Sequence, residues 1–293
     1  MTVERIAFEV DGDRVVGDLY WPSGADPHPA VIVAGPMTSV KEQVTGVYAA
    51  ALARHGLAAL AIDHRGYGES GGAPRQYEHW RRKVEDLRVG FEYLASRSRI
   101  NPERIGAAGV CLGCGYAAHA SLANPRVKAL GLVAGYYRDP AAMRQLDPEA
   151  FDGKIAQGVA ARHVFEQTGV AEMIPAAALE ADAAMQTPDT VDYYTRRAAH
   201  VNYVNALAVM SREHFLGFDV QAAAPRLHQP VTMVHSRTAL SPAWAQTFYD
   251  RLPGKKSLTW IDSCGQTDIY DDVEIVARAA QLVASGLRES LAA

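Results

Sequence analysis

Between residues 30 and 134, continuous apolar runs alternate with stretches of helical periodicity, and this alternation constrains the fold more than any other property of the chain. Residues 30–34 (AVIVA) form a continuous apolar run, as a strand buried on both faces should; 57–62 (LAALAI) is a second buried run, and 104–110 (RIGAAGV) and 127–134 (VKALGLVA) read as further strands. Apolar spacing at Val47, Ala51 and Leu52 predicts a helix over about 44–55. Val84, Leu87, Phe91 and Leu94 predict another over about 77–97, and a third runs from the 111–113 turn to about residue 123. Strand–helix repetition with uniformly apolar strands specifies a mostly parallel central sheet flanked by helices, an α/β class. Ahead of it, IAFEV and VVGDLYW flank Asp11-Gly12-Asp13, a hairpin signal.

The alternation stops at Asp139. From there to about Asp219 the chain is Ala-rich and helical in pattern, with breaks at Pro175 and Pro188. It resumes with a strand over 231–235, a helix over 242–252, a strand over 257–261 and a last helix over about 271–290. The expected organisation is an α/β core formed by 1–138 and 219–293, interrupted by a helical cap or lid at 139–218.

Composition narrows the function classes. Hydrophobic residues make up 48% and charged residues 21%, as in an ordinary folded domain. A net charge of −4 offers no polyanion-binding surface, so nucleic acid is not an expected partner. No secretory leader is visible at the N-terminus, and no apolar run reaches the roughly eighteen residues of a membrane span. Three cysteines without a CxxC spacing read as reduced thiols in a cytoplasm. The expected partner is a small-molecule substrate, with a homodimer left open.

Gly109-Val110-Cys111-Leu112-Gly113 lies between a buried strand and a helix, the context of a nucleophile elbow. A turn this tight leaves no room for side chains beside the nucleophile, and it aims backbone N–H groups at the reacting oxygen. A thiol at a helix N-terminus is expected to ionise below its reference of about 8.5. The alternative is an inert buried cysteine. The oxyanion donors would be the N–H groups of Leu112 and Met37, since Pro36 has none to give. Gly66-Tyr67-Gly68-Glu69-Ser70-Gly71 matches GxGxxG literally, but no helix opens directly after it, so no dinucleotide or other cofactor is expected.

Three segments carry a family resemblance: Pro36 to Gln43 (PMTSVKEQ), Asp63 to Gly72 (DHRGYGESGG) and Gly109 to Tyr116 (GVCLGCGY). Together they resemble the α/β-hydrolase superfamily, in particular its dienelactone-hydrolase-like group with a cysteine in the elbow. The resemblance is strong over 31–138 and weak over the cap. It implies ester or lactone hydrolysis by a Cys or Ser nucleophile, an acid after a later strand and a His after the last strand. Gly35 replaces the family's loop His. Aligned on Asp268-Ile269-Tyr270-Asp271, the catalytic His slot holds Gln266. Aligned on His235 to Pro242, the acid slot holds Ala239.

Gln266 cannot take a proton at neutral pH. Loss of the base from such a triad lowers the rate by roughly 10⁶ in the best-measured case, although a thiol suffers less than a hydroxyl. His235, at the end of a strand, is the candidate substitute base, against the reading of a core His bonded to a loop carbonyl. His64, His163, His200 and His214 are weaker candidates, and His119 lies about 12 Å along its helix from Cys111. Cys264, beside the Gln266 slot, is expected near Cys111, and Cys114, one turn along the helix, is expected to face inward; no fourth ligand at suitable spacing joins these thiols, so no metal is expected. Tyr136, Tyr137, Tyr193, Tyr194 and Tyr203 would line an apolar pocket or pack the cap onto the core.

The expected function is therefore carbonyl chemistry of a non-hydrolytic kind, a cyclase, lyase or isomerase step in specialised metabolism. Two alternatives stand beside it: a Cys-dependent esterase, thioesterase or lactone hydrolase with a base from elsewhere, and a non-catalytic ligand-binding protein.

Overall fold

The computed structural model describes residues 1–122, 124–180 and 182–292. The hairpin strands β1 (Thr2–Val10) and β2 (Asp13–Trp21) precede β3 (His28–Ala34), helix α1 (Gly46–Arg54) and β4 (Ala58–Ile62). Then come α2 (Trp80–Ala95), β5 (Ile100–Val110), α3 (Gly113–Ser121) and β6 (Val127–Val133). The end expected for α3 at residue 123 falls outside the described residues. After the inserted segment the core continues with β9 (Val231–His235), α8 (Pro242–Arg251), β10 (Lys256–Trp260), α9 (Asp268–Asp271) and α10 (Val273–Ala292).

These strands form one eight-stranded sheet in the order β1-β2-β4-β3-β5-β6-β9-β10. From β4 to β10 every pairing is parallel; β1 and β2 attach antiparallel at one edge. All five residues of β4 and Val31, Ile32 and Val33 of β3 are buried, because helices cover both faces of the parallel part. This is an α/β-hydrolase fold, and the loops that follow β5, β6, β9 and β10 meet at one edge of the sheet.

The described residues of 139–218 lie outside the main sheet and are not wholly helical. They contain α4 (Pro140–Leu146), α5 (Pro148–Thr168), α6 (Pro188–Asp192) and α7 (Ser211–Leu216), and also a small antiparallel pair, β7 (Met173–Ile174) with β8 (Leu207–Ala208). The breaks expected at the prolines have local causes. α5 stops earlier, at Gly169, whose φ of 72° suits a left-handed helix end. Pro188 starts α6 rather than ending a helix, with Thr187 capping the Thr190 N–H.

Candidate active site

Between β5 and α3, Cys111 and Leu112 alone reverse the chain. Cys111 is held at φ 55°, a left-handed conformation that costs a non-glycine residue about 1–2 kcal/mol. The turn survives because its backbone is pinned: Cys111 N–H donates to Val133 O at 3.2 Å, and Cys111 O accepts from Tyr136 N–H at 3.0 Å. The flanking glycines are a matter of space. A Cβ on Gly109 would lie 2.6 Å from Cys114 Cα, and one on Gly113 would lie 2.1 Å from Ala34 O.

Cys111 lines a cavity of about 260 Å³. Pro36, Met37, Leu112, Tyr136 and Tyr194 line it too, as does Tyr270, which carried no role in the sequence reading. The 139–218 segment supplies much of the opposite wall, including Met185, Thr190 and Phe215.

Gln266 is buried and fully bonded. Its amide Nε2 donates to Ala134 O at 2.8 Å and to the Tyr270 hydroxyl at 3.0 Å, while its Oε1 accepts from Leu240 N–H at 2.9 Å. The loop after β10 thus meets the loop after β9 next to the elbow, where a His and an acid would pair. Ala239 supplies no carboxylate there. Burial pushes the Cys111 thiol up to about 11, against the lowering contributed by Tyr270, the Leu112 N–H and Gln266. This reverses the sequence expectation of a lowered thiol pKa: α3 begins in a dry core, and desolvation of the thiolate outweighs the helix end.

His235 is not in the site. It is fully buried, its Nδ1 beside Ser236 and its Nε2 at 3.1 Å from Gly135 O, so both ring nitrogens are engaged with backbone away from the cavity. The end of β9 faces inward at this position, which is why a strand-end His lands in the core. Tyr193 is also displaced: it lies one layer behind the wall, accepting from Val44 N–H at 3.0 Å and meeting Tyr194 and Tyr270 edge-on. His119 bonds Asp219 O, His64 pairs with Asp86, and His214 stacks near His79. Among the described residues lining the cavity there is no His, Asp or Glu. Cys114 is sealed against Gly109 O and Cys264 is exposed.

The loop carrying Pro36 and Met37 is fixed from below by Glu78, another residue without a sequence signal. Its carboxylate accepts from Thr38 N–H at 2.9 Å, Tyr67 OH at 2.9 Å and Tyr116 OH at 2.5 Å, and pairs with Lys83 at 2.6 Å. Burial opposes its charge, but Lys83 and these donors hold it below the usual carboxylate range. Gly35 explains the missing loop His, since a Cβ there would lie 2.0 Å from Thr45 Oγ1. Lys41 in the same loop places its ammonium among Glu42, Asp63 and Glu69, so that acidic cluster already has its cation.

Comparison with known proteins agrees with this architecture. The uncharacterized protein YcjY of Escherichia coli K12 is 30% identical over 291 residues, 93% of each chain. Thiohydrolase aneE of Aspergillus aculeatus is 34% identical over 119 residues, 41% of this chain and 37% of that one. The structure of DcsB in complex with a substrate analogue superimposes with a TM-score of 0.86 at 20% identity, covering 100% of both chains. Over residues 25–265 the chain matches the family described as serine aminopeptidase, S33, and with its eight-stranded sheet and strand-to-helix elbow it belongs to that family of α/β hydrolases.

Proposed function

We propose that this protein is an enzyme acting on a small, largely apolar carbonyl or acyl substrate by non-hydrolytic chemistry, with the 139–218 segment as the cap over its site. The observation that carries the reading is Gln266, locked by three hydrogen bonds at the place where a triad would hold its base. No group there can deprotonate water, and a thiol with a pKa near 11 is almost wholly protonated at pH 7. The Leu112 and Met37 N–H groups serve as oxyanion donors, polarising a carbonyl beside a neutral thiol and the Tyr270 phenol. That set suits a cyclase, lyase or isomerase step, in which an activated water would be a competing nucleophile.

A second reading, Cys-dependent thioester hydrolysis, has support from the name of the thiohydrolase relative and from the three groups that stabilise the Cys111 thiolate. Product analysis after incubation with butyryl and 10-hydroxydecanoyl thioesters separates the two. The non-hydrolytic reading expects free acid to form no faster with wild type than with Cys111→Ala. Multiple turnovers to free acid that depend on Cys111 would overturn it.

A further inference from the structure

Arg138 breaks the rule that the other buried cations of this chain obey. Lys41 pairs with Asp63, Arg65 with Asp86, Lys83 with Glu78 and Arg212 with Asp182. Arg138 is fully buried, and among the described residues no carboxylate lies within ion-pair distance of it. Its guanidinium donates to Phe215 O at 2.9 Å, to Leu216 O at 3.2 Å and to the Met143 sulfur at 3.4 Å, and rests 4.1 Å over the Phe215 ring. Its Nε has no partner. Carbonyl dipoles and a ring face offset part of the desolvation of a cation, but they leave its net charge standing.

Arg138 is among the residues lining the cavity of Cys111, whose walls are otherwise mainly Met, Pro, Leu and aromatic side chains, with no acidic residue among the described lining. The backbone of Arg138 is also fixed, its carbonyl accepting from Val220 N–H at 3.1 Å where the chain returns from the cap segment. A fixed guanidinium without a carboxylate partner, buried in the wall of an apolar cavity, is the arrangement that selects an anionic group on a ligand.

We propose that Arg138 binds a carboxylate of the substrate, separate from the carbonyl that reacts at Cys111, so that the substrate class is an apolar acid carrying a second acyl or carbonyl group. A monoanion fits better than a phosphate, because a single guanidinium lines the cavity and a dianion would keep excess buried charge. The proposal rests on the reading of this cavity as the substrate site. It does not depend on whether the reaction is hydrolytic.

The test is calorimetric titration of the full chain at pH 8 with octanoate and, separately, with octanamide. Octanoate is expected to bind one site per chain at a dissociation constant about tenfold below that of octanamide, the difference made by a charge-assisted hydrogen bond. Arg138→Met is expected to bring the two constants together, and Arg138→Lys to keep part of the preference. Equal affinities in wild type overturn the proposal without any variant, so misfolding of Arg138→Met does not protect it. A preference for octanoate that survives in a folded Arg138→Met also overturns it. Absence of binding by either compound overturns this proposal and the reading of the cavity together. Thioester hydrolysis with the octanoate preference intact removes only the non-hydrolytic reading.

Discussion

The Gln266 amide donates to the Tyr270 hydroxyl at 3.0 Å, and that phenol faces the Cys111 thiol. The elbow therefore has a polar neighbour that favours thiolate, while the described cavity lining holds no His, Asp or Glu. With the thiol at about 11, alkylation of Cys111 by iodoacetamide should accelerate about tenfold per pH unit from pH 7 to about pH 10 without a plateau. Tyr270→Phe removes a group that lowers this pKa and should slow alkylation several-fold at fixed pH. Mass spectrometry in a Cys264→Ser background reads both; a plateau near pH 8 would contradict the account.

Gln266→His alone should leave ester hydrolysis inefficient. An imidazole can take the place of the amide, but Ala239 provides no acid to fix its tautomer. Spoiling the acid lowers turnover by about 10⁴ in a serine triad, and a cysteine nucleophile depends on it less. Gln266→His with Ala239→Asp should then exceed the sum of the single variants in kcat/KM on an activated ester, since the groups act as a unit. Full activity from Gln266→His by itself would reveal an acid elsewhere.

Glu78→Ala should destabilise the protein by about 3–5 kcal/mol, because Lys83 is left as a buried charge without its partner. Glu78→Gln should cost less, keeping some of the acceptors for Thr38, Tyr67 and Tyr116. Urea unfolding at pH 7 measures both. A loss below about 1 kcal/mol for Glu78→Ala would show that the network does not hold the loop.

Acid should weaken the fold through His79, whose ring lies 4.0 Å from that of His214. Burial pushes His79 down to about 4, with His214 and Arg82 adding to the effect. In the unfolded chain it ionises near 6.5. Folding therefore favours the neutral form: this contribution is complete above about pH 6.5, is lost as the pH falls towards 4, and changes no further below that. His79→Asn, which can still cap α2, should show a smaller drop in Tm between pH 7 and pH 4.5. An equal drop would assign the acid sensitivity to other groups.

Cys111→Gly should be more stable than Cys111→Ala by about 1 kcal/mol, since the left-handed backbone at this position favours glycine over a residue with a Cβ. Thermal denaturation of the two variants gives the comparison directly. Equal stability would mean that the elbow carries no strain.

The parallel core was legible because its signals are local. β4 and residues 30–34 of β3 announce themselves as unbroken apolar runs, and Gly109 and Gly113 mark the elbow because backbone contact forbids any Cβ there. The 139–218 segment was less legible. Its β7–β8 pair joins residues more than thirty positions apart through two-residue strands, too short for periodicity to register.

By itself the sequence determined the fold class and the strand-to-helix turn at Cys111, since each depends on residue type and short-range pattern. Only the tertiary structure decided which side chains surround the thiol and what they do to it. It removed His235 and Tyr193 from the cavity and brought in Tyr270 and Arg138. It also raised the thiol that a helix end was expected to lower. The reason is physical: desolvation and the pairing of charges are set by everything that packs around a group, and those neighbours come from distant parts of the chain.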